Sequence, residues 1–328
     1  MARARSWQRS TQRGAALLVA LLILTLVSTL AAGMVWQQWR AIQVESAQRA
    51  RTQSAWILGG ALDWARLILR EDARTGGVDS LNEPWARELK EAKITSFLAL
   101  DRDNNSSAET GVDDAFISGS ITDAQARWNL RRLVDATGKV VPAELRVFQR
   151  LCDTAGVPSG TAESVAAALA RAWGPVSGLD RDARDSVPVG PMRLSQLVWL
   201  DVEPSTIARL DPYVVLLPAA DTTVNVLTAP AEVIAAVVEG MSVGAAQRLV
   251  RERVRFAENG TNLETVRPYF PADPAPDLGG IGLTSRHFVV QGRLRQGDRV
   301  LEERSLVQRR QLEVVVLQRE HVNLRDGS

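Results

Sequence analysis

The chain has 328 residues, enough for one or two domains with a buried core. Its 39 basic and 38 acidic side chains nearly cancel, so no overall charge directs it to nucleic acid or to an acidic surface. Two histidines and one cysteine leave little material for a zinc site, a histidine-based triad or a disulfide framework.

The amino-terminal region combines a basic segment with a long apolar one. Residues 1–14 contain four arginines and no acid, and residues 15–35 contain no charged side chain. A helix of about 20 apolar residues spans ~30 Å, the thickness of the hydrocarbon core of a bilayer. Trp36 and Trp39 follow the apolar run, as is typical of a membrane interface, and basic residues favour the cytoplasmic side. We therefore predict a single-pass inner-membrane protein with a cytoplasmic amino terminus and a periplasmic bulk.

Three interpretations of this region compete: a cleaved secretory signal, an uncut anchor and a prepilin-type leader. A secretory signal has an apolar core of roughly 7–15 residues and is cut at the far end of that core, whereas the run here is longer. A prepilin-type leader is cut before the apolar helix, which then stays with the protein. Gly14 and Ala15 lie between the basic segment and the apolar run, and glycine needs little room in a protease. We favour a cut between these two residues.

The apolar run continues into a long predicted helix. No proline occurs between residues 35 and 74, where apolar residues recur at helical spacing. The pattern predicts one helix from residue 15 to residue 74, about 90 Å long, with Gly59 and Gly60 as its weak point. The next segment, residues 75–120, is rich in turn residues and contains two predicted strands, at 94–100 and 115–122.

The middle of the chain is predicted to be helical. Helices are expected at 143–155, 161–173, 228–239 and 242–256. The first two place their apolar side chains on one face. The third has Thr228 as its expected N-cap and Gly240 as its stop.

The period of the pattern changes to two in the last part of the chain. Phe288, Val290 and Leu294 alternate with polar residues, and further strands are predicted at 300–307 and 312–317. These three strands are expected to form an antiparallel meander.

Together the elements predict an α+β protein. Its fold class is a pilin-like long N-terminal α-helix packed on an antiparallel β-sheet, with an all-helical domain of the helix-hairpin-helix or SAM-like kind inserted between strands. The predicted segments are a cytoplasmic leader (1–14), the transmembrane and periplasmic parts of the first helix (15–36 and 37–74), the first strands (75–125), the inserted helical domain (126–270) and the last strands (271–328).

Four stretches of the sequence together resemble a known family. They are RGAALL at 13–18, ITDAQARWNL at 121–130, the segment at 217–236 that ends in NVLTAPAEVIAA, and TSRHFVV at 284–290. In this order they resemble the minor pseudopilin K family of type II secretion systems, also called general secretion pathway protein K. The resemblance covers most of the chain.

The resemblance implies a function in assembly and not in catalysis. Family members form, with minor pseudopilins I and J, the tip that initiates the periplasmic pseudopilus for protein export across the outer membrane. Minor pseudopilin H, the major pseudopilin G, prepilin peptidase and the inner-membrane assembly platform are further expected partners. The retained helix is expected to pack in the membrane through Leu17, Leu18, Leu21, Leu22, Leu24 and Leu26.

The resemblance also assigns roles at the processing region. It implies cleavage by prepilin peptidase after Gly14 and methylation of Ala15. Val19 is then the fifth residue of the mature chain, where most pilin-like proteins carry a glutamate that meets the amino terminus of a neighbouring subunit. An apolar residue there suits a tip subunit with no neighbour above it, although in an ordinary anchor Val19 would simply face lipid.

Calcium is the only cofactor that the resemblance suggests, because family members can bind it in the head. Asp180, Asp182 and Asp185 carry oxygen ligands, but the family's aspartate- and tryptophan-rich pattern is missing around them, which favours a solvated acidic loop. Residues 101–105 imitate the start of an EF-hand loop but fail at its sixth and twelfth positions. No cofactor is firmly predicted.

A competing function is DNA binding by a membrane-anchored helix-hairpin-helix protein for DNA uptake. The predicted helices at 228–239 and 242–256 resemble such a module, which presents backbone amides to a phosphate. Ser242 replaces the second glycine of the usual hairpin, and acids are interleaved with the nearby arginines. Both features argue against nucleic acid as a partner.

No enzyme site is predicted. Cys152 falls on the apolar face of a predicted helix, so we expect a buried thiol. His287 and His321 lie in or beside predicted strands without partners at the spacing of a metal site. We expect His287 to be a surface or edge residue.

Overall fold

The computed structural model describes residues 13–94, 115–175, 187–258, 261–273, 275–297 and 299–325. The chain divides into two compact units, Met1–Ile57 and Leu58–Ser328. One helix, α1 (Arg13–Thr75), begins in the first unit and ends in the second. It passes through Gly59 and Gly60 without a break, so the predicted long helix is confirmed and its expected weak point is helical.

In the first unit, the described residues form the amino-terminal part of α1. Residues 17–35 are almost entirely apolar, and their large side chains are exposed. The hydroxyls of Thr25 and Thr29 donate to the carbonyl oxygens of Leu22 and Leu26, one turn earlier. Because the helix satisfies its own backbone and these two hydroxyls are also paired, the cost of placing them in a bilayer is reduced. It is long and apolar enough to cross a membrane.

An antiparallel sheet organises the second unit. The strands within the described residues are β1 (Leu89–Lys93), β2 (Ala115–Asp123), β3 (Trp128–Asn129), β4 (Val214–Val215), β5 (Val224–Asn225), β6 (Ile281–Gly282), β7 (His287–Gln296), β8 (Arg299–Arg310) and β9 (Glu313–Arg325). Five of them form one sheet in the order β1-β2-β7-β8-β9. The neighbours β7, β8 and β9 pair antiparallel, which confirms the predicted meander.

The last turns of α1 pack on one face of this sheet. Leu62, Ala65 and Leu69 recur at helical spacing and share a buried cluster with Phe288 and Val307. Alternation along a strand is what brings every second residue of β7 to this face. Each large apolar side chain that is fully buried in this way contributes roughly 1.5–3 kcal/mol.

Two glycines allow strands and helix to approach closely. Gly119 on β2 and Gly292 on β7 are directly opposite each other in the ladder. A Cβ atom on Gly119 would lie 2.9 Å from the backbone oxygen of Gln291, and one on Gly292 would lie 3.2 Å from Cδ2 of Leu58. Gly119 therefore lets the backbones of β2 and β7 approach closely, and Gly292 leaves room for the side chain of Leu58 on α1.

A helical region lies between β2 and β7 in the sequence. Its helices are α2 (Pro142–Ala155), α3 (Thr161–Trp173), α4 (Pro204–Leu210), α5 (Ala231–Val237), α6 (Val243–Glu252) and α7 (Leu263–Val266). The short strands pair in parallel, β3 with β4 and β5 with β6. Trp128 stacks on Phe148 in the core of this region, with ring centroids 5.6 Å apart. The predicted α+β fold, with a helical region inserted between strands, is confirmed.

Most predicted helices and strands are confirmed, with bounds that differ by a few residues. The predicted helices at 143–155 and 161–173 correspond to α2 and α3, and the predicted strand at 115–122 corresponds to β2. The predicted strands at 300–307 and 312–317 are longer in the structure, as β8 and β9. The cause is hairpin pairing, which extends the ladder beyond the apolar residues into charged ones.

Only the first residue of the strand predicted at 94–100 lies in the described part of the chain, so a strand there stays a prediction. The edge strand β1 ends at Lys93, and Ile94 follows it as a buried residue. Residues 95–100 lie outside the described part of the chain. The apolar pattern missed β1 because the strand is mostly charged and exposed, which is common for an edge strand.

Both helices of the predicted hairpin have bounds that differ from the predicted ones, 228–239 and 242–256. Thr228 is not an N-cap, because α5 begins at Ala231 with Pro230 at the cap position. In α6 the side chain of Ser242 is the N-cap and accepts from the amide of Ala245. This helix ends earlier than predicted, at Glu252, and continues as a 3-10 segment, Arg253–Glu258.

Candidate functional site

Four buried polar residues meet where the chain leaves the sheet and returns to it. They are Asp123, Asn225, Thr228 and Ser285, and we call this group the joint. Each of them belongs to a stretch that carries the family resemblance. Because β2 ends at Asp123 and β7 begins two residues after Ser285, contacts within the joint hold both ends of the helical insertion together.

The carboxylate of Asp123 is the centre of the joint. Its Oδ2 accepts hydrogen bonds from Asn225 Nδ2 at 3.0 Å, Thr228 Oγ1 at 2.6 Å and Ser285 Oγ at 2.6 Å. Its Oδ1 accepts from the amide of Gln125 at 2.7 Å. Burial raises the pKa of Asp123 to about 6, although the hydrogen bonds from Ser285 and Thr228 oppose this shift.

Asn225 links the joint to the loop that follows α1. Its side-chain amide also donates to the backbone oxygen of Asp79 at 2.9 Å, and its Oδ1 accepts from the amide of Leu227 at 3.0 Å. A buried amide with partners on both ends is strongly favoured over an unpaired one. Asn225 thus connects the insertion, the sheet and the loop after α1.

A second asparagine fixes the start of the insertion. The Nδ2 of Asn129 donates to the backbone oxygen of Ala219 and to Thr222 Oγ1. Its Oδ1 accepts from the amides of Arg131 and Leu217. These contacts join the segment after β2 to the segment that precedes β5.

An arginine on β8 ties the joint to the end of α1. Arg309 donates to both carboxylate oxygens of Asp79, at 2.6 and 2.7 Å, and to Asp72 on α1 at 2.5 Å. It also donates to the backbone oxygen of Ser285, and its guanidinium lies over the ring of Phe288. Burial raises the pKa of Asp79, while the charge of Arg309 lowers it.

Glu83 completes an acidic cluster beside this arginine. It accepts from Trp85 Nε1 and from the amide of Ser80. Burial raises the pKa of Glu83 to about 7, and the charges of Asp72 and Asp79 act in the same direction. Oxygens of these three acids lie within 4.8 Å of one another. We assign no metal to them, because the guanidinium of Arg309 is the cation that two of them contact.

The arrangement is suited to attachment and not to chemistry on a substrate. The hydroxyls of Thr228 and Ser285 are buried and donate to Asp123, so they are not presented to solvent. Cys152 is buried, as expected, and burial raises the pKa of its thiol to about 12. At neutral pH this thiol is therefore protonated and a poor nucleophile.

His287 is not the surface or edge residue that we expected. It opens β7, which lies between β2 and β8, and it is fully buried. Its Nδ1 lies 3.3 Å from Gln125 Oε1, and among the described residues its Nε2 has no hydrogen-bond partner. Burial lowers the pKa of His287 to about 4, so its ring is neutral at pH 7. The pattern predicted a strand here but not that this strand lies inside the sheet.

The predicted processing and membrane residues all lie on α1. Gly14 and Ala15 fall in its first turn. The side chain of Val19 is exposed, and so are those of the predicted packing residues Leu17, Leu18, Leu21, Leu22, Leu24 and Leu26. The calcium candidates Asp180, Asp182 and Asp185, and the segment 101–105, lie outside the described residues.

The sequence did not predict the acidic cluster or the joint. Arg309 and Asp79 are 230 positions apart, and no periodic pattern reports such a contact. The signal that could have found the joint is its place in the sequence: Asp123, Asn225 and Ser285 are polar residues in three of the stretches that carry the resemblance.

Comparisons with known proteins agree with this architecture. A family model described as type II secretion system (T2SS), protein K, matches residues 224–265, and a second model with the same description matches residues 126–219. Type II secretion system protein K of Pectobacterium carotovorum subsp. carotovorum is 27% identical over 338 residues, which cover 95% of this chain and 97% of the relative. The chain is thus similar to type II secretion system protein K over most of its length.

A solved structure has a similar fold. It is the crystal structure of the GspK-GspI-GspJ complex from the enterotoxigenic Escherichia coli type 2 secretion system. One of its chains aligns with a TM-score of 0.58 and 16% identity, over 84% of this chain and 98% of that chain. At this identity the similarity supports the fold.

The hairpin of α5 and α6 is a structural part of the helical insertion. Arg253, one of the arginines near the hairpin, donates to the backbone oxygen of Ala229. Arg255 pairs with Glu252, whose charge it offsets. The buried faces of both helices belong to the core of the helical region. Neither these contacts nor the comparisons favour the DNA-binding alternative.

Proposed function

We propose that this protein is a minor pseudopilin that helps to form the tip of the periplasmic pseudopilus, and so initiates it for protein export across the outer membrane. The observation that carries the proposal is the plan of the fold. A membrane-length apolar helix continues into turns that pack on an antiparallel sheet, and the sheet holds a helical insertion. Similarity to type II secretion system protein K supports the same function.

The contribution of the protein is assembly and not catalysis. The polar groups of the joint satisfy one another and hold the insertion on the sheet. The retained membrane helix supplies an apolar surface for neighbouring helices in the bilayer, where packing and not water exclusion drives association. This is a structural role for both units.

The proposed direct partners are minor pseudopilins I and J. The support is the related solved complex, in which GspK is assembled with GspI and GspJ. Minor pseudopilin H, the major pseudopilin G, prepilin peptidase and the inner-membrane assembly platform are further proposed partners. Tip position is supported by apolar Val19 and by the bulk of the insertion, which would hinder a subunit from stacking above it.

The protein is proposed to be anchored in the inner membrane with the leader, residues 1–14, in the cytoplasm and the second unit in the periplasm. Prepilin peptidase is proposed to cut after Gly14. The domain division then separates the helix in the membrane (15–36) and beyond it (37–74) from the sheet (75–125 and 271–328) and the insertion (126–270).

Amino-terminal sequencing of the membrane-extracted protein tests the processing step. In cells with active prepilin peptidase the chain should begin at Ala15, and Gly14→Ile should retain the leader. Gly33→Ala is a matched control, because nothing lies within 4 Å of the added Cβ atom. A native chain that begins beyond the apolar helix, or a wild-type chain that keeps its leader, would remove the proposal.

Co-purification tests the partners. The full-length chain, expressed with minor pseudopilins I and J of the same organism, should be recovered with both from detergent extracts. Immunogold labelling should then place it at one end of short filaments. Distribution along the filaments would overturn tip position without affecting the proposal that the protein is a minor pseudopilin.

A further inference from the structure

The joint buries a carboxylate that no cation neutralises directly. We propose that the joint is a proton-linked clamp: the closed joint binds a proton that the opened joint releases, so alkaline conditions favour detachment of the insertion from the sheet and acidic conditions hold it in place. This property goes beyond the proposed function and does not depend on any partner of the protein.

The first support is the environment of Asp123. It is buried, and its hydrogen-bond donors, an amide side chain, two hydroxyls and a backbone amide, are all neutral. No ion pair in the described part of the chain includes it. A carboxylate without a cation in a low-dielectric site keeps a large desolvation cost, and protonation removes that cost.

The second support is the set of charges around Asp123. On the loop after α1, Asp79 raises the pKa of Asp123. Arg309 on β8 is occupied by Asp79 and Asp72. Arg127, which follows the end of β2, pairs with Asp211 at 3.5 Å. Burial lowers the pKa of Arg127, and the charges of Asp211 and Asp123 oppose that shift.

The remaining charges face the start of β7. Arg286 is paired with Asp221 of the insertion at 3.0 Å. His287 is neutral at pH 7, because burial lowers its pKa to about 4. Neither residue therefore forms an ion pair with the Asp123 carboxylate, whose charge is offset by its four neutral hydrogen-bond donors. Protonation removes the desolvation cost that these donors leave.

The third support is what opening would do to this carboxylate. Two of its donors, Asn225 and Thr228, belong to the insertion, so separation of the insertion from β2 removes them and admits water to Asp123. In water the pKa of an aspartate is near 3.9, against about 6 in the closed joint. The closed joint thus holds more protons between these values, and stability of closure falls as pH rises through that range.

Hydrogen exchange of the full-length chain in detergent micelles measures the opening. We expect the opening constant, corrected for intrinsic exchange, to rise about tenfold from pH 5 to pH 8 at the amides of Val226 and Thr228. Both residues are buried beside the joint and their amides donate to Gly282 and Asn225, so opening of the joint should expose these amides to exchange. Asp123→Asn should abolish the pH dependence, because the amide does not titrate.

Two further variants complete the test. Asp221→Asn is the matched control, because it removes an exposed carboxylate from the same surroundings and should keep the tenfold change. Ser285→Ala removes one donor from Asp123 and should move the midpoint to higher pH. If Asp123→Asn fails to fold, the pH dependence of exchange in the wild type and the shift of its midpoint in Ser285→Ala test the proposal. Equal protection of the wild type at both pH values, or an unchanged midpoint in Ser285→Ala, would overturn the clamp.

Discussion

Asn225 donates its side-chain amide to the carboxylate of Asp123 at 3.0 Å, across 102 positions of the sequence. Both residues are buried, and the same amide also reaches Asp79 and Ser285. One side chain thus contacts the strand that enters the insertion, the segment that leaves it and the loop after α1. Removing it should weaken the contacts between all three segments.

Asn225→Ala should lower the free energy of unfolding of the second unit by about 2–4 kcal/mol, because it leaves the Asp123 carboxylate and the Asp79 carbonyl short of a donor in a buried site. Denaturant unfolding of the detergent-solubilised chain measures the change. Asn82→Ala, which removes a hydrogen bond to Val254 at an exposed position, should cost less than about 1 kcal/mol. Equal costs for the two variants would contradict this view of the joint.

Arg309→Met should destabilise the second unit by about 3–5 kcal/mol, because the buried carboxylate of Asp79 and the half-buried one of Asp72 lose their cation. Adding Asp79→Asn to Arg309→Met should restore part of the lost stability, because the double variant no longer contains the uncompensated charge of Asp79. The control is Arg74→Met, whose partner Glu71 is well exposed, and its effect should be within about 1 kcal/mol. Thermal unfolding of the four proteins compares them, and no recovery in the double variant would count against the charge argument.

Gly119→Ala should cost about 1–3 kcal/mol, because the new Cβ atom would lie 2.9 Å from the backbone oxygen of Gln291 and one strand must move. Gly244→Ala provides a contrast. It lies in α6 with nothing within 4 Å of the added atom, so it should stabilise the chain by about 0.4–1 kcal/mol. Opposite shifts in the denaturant midpoint are the expected result.

His287 should make the protein sensitive to acid. Burial lowers its pKa from 6.5 to about 4, so the folded state favours the neutral ring. The stability it contributes is fully present above pH 6.5 and is lost as the pH falls from there towards 4, by up to about 3 kcal/mol. In His287→Gln this part of the loss should disappear. Melting temperatures measured from pH 7.5 to pH 4.5 for both proteins test it, and parallel curves would refute it.

Cys152 should report unfolding. It is buried on α2, and its thiol has a pKa raised by burial to about 12, so a maleimide should react with it very slowly in the native chain. In denaturant the same thiol should react at the rate of an ordinary cysteine. Fast labelling under native conditions would show that α2 opens readily.

The parts of the fold that repeat along the chain could be predicted, and the parts that depend on distant contacts could not. Helical spacing revealed α1, α2 and α3, and alternation revealed the meander of β7, β8 and β9. The short charged strand β1 gave no such signal, because an edge strand needs few apolar residues.

The same distinction holds for single residues. Thr228 is of a residue type that favours an N-cap. Its hydroxyl instead donates a hydrogen bond to the Asp123 carboxylate, and the helix starts at Ala231. His287 was expected at the surface because local sequence does not tell a central strand from an edge strand. Tertiary contacts override local preference at both positions.

The pairing of Asp123 with Phe288 in the ladder has a consequence for how such a protein can change. Two adjacent antiparallel strands need only a tight turn between them, so the whole helical region occupies the place of a hairpin loop. An insertion attached in this way can be exchanged, enlarged or deleted without altering the register of the strands beside it. The sheet can therefore stay the same during evolution while the sequence of the insertion changes.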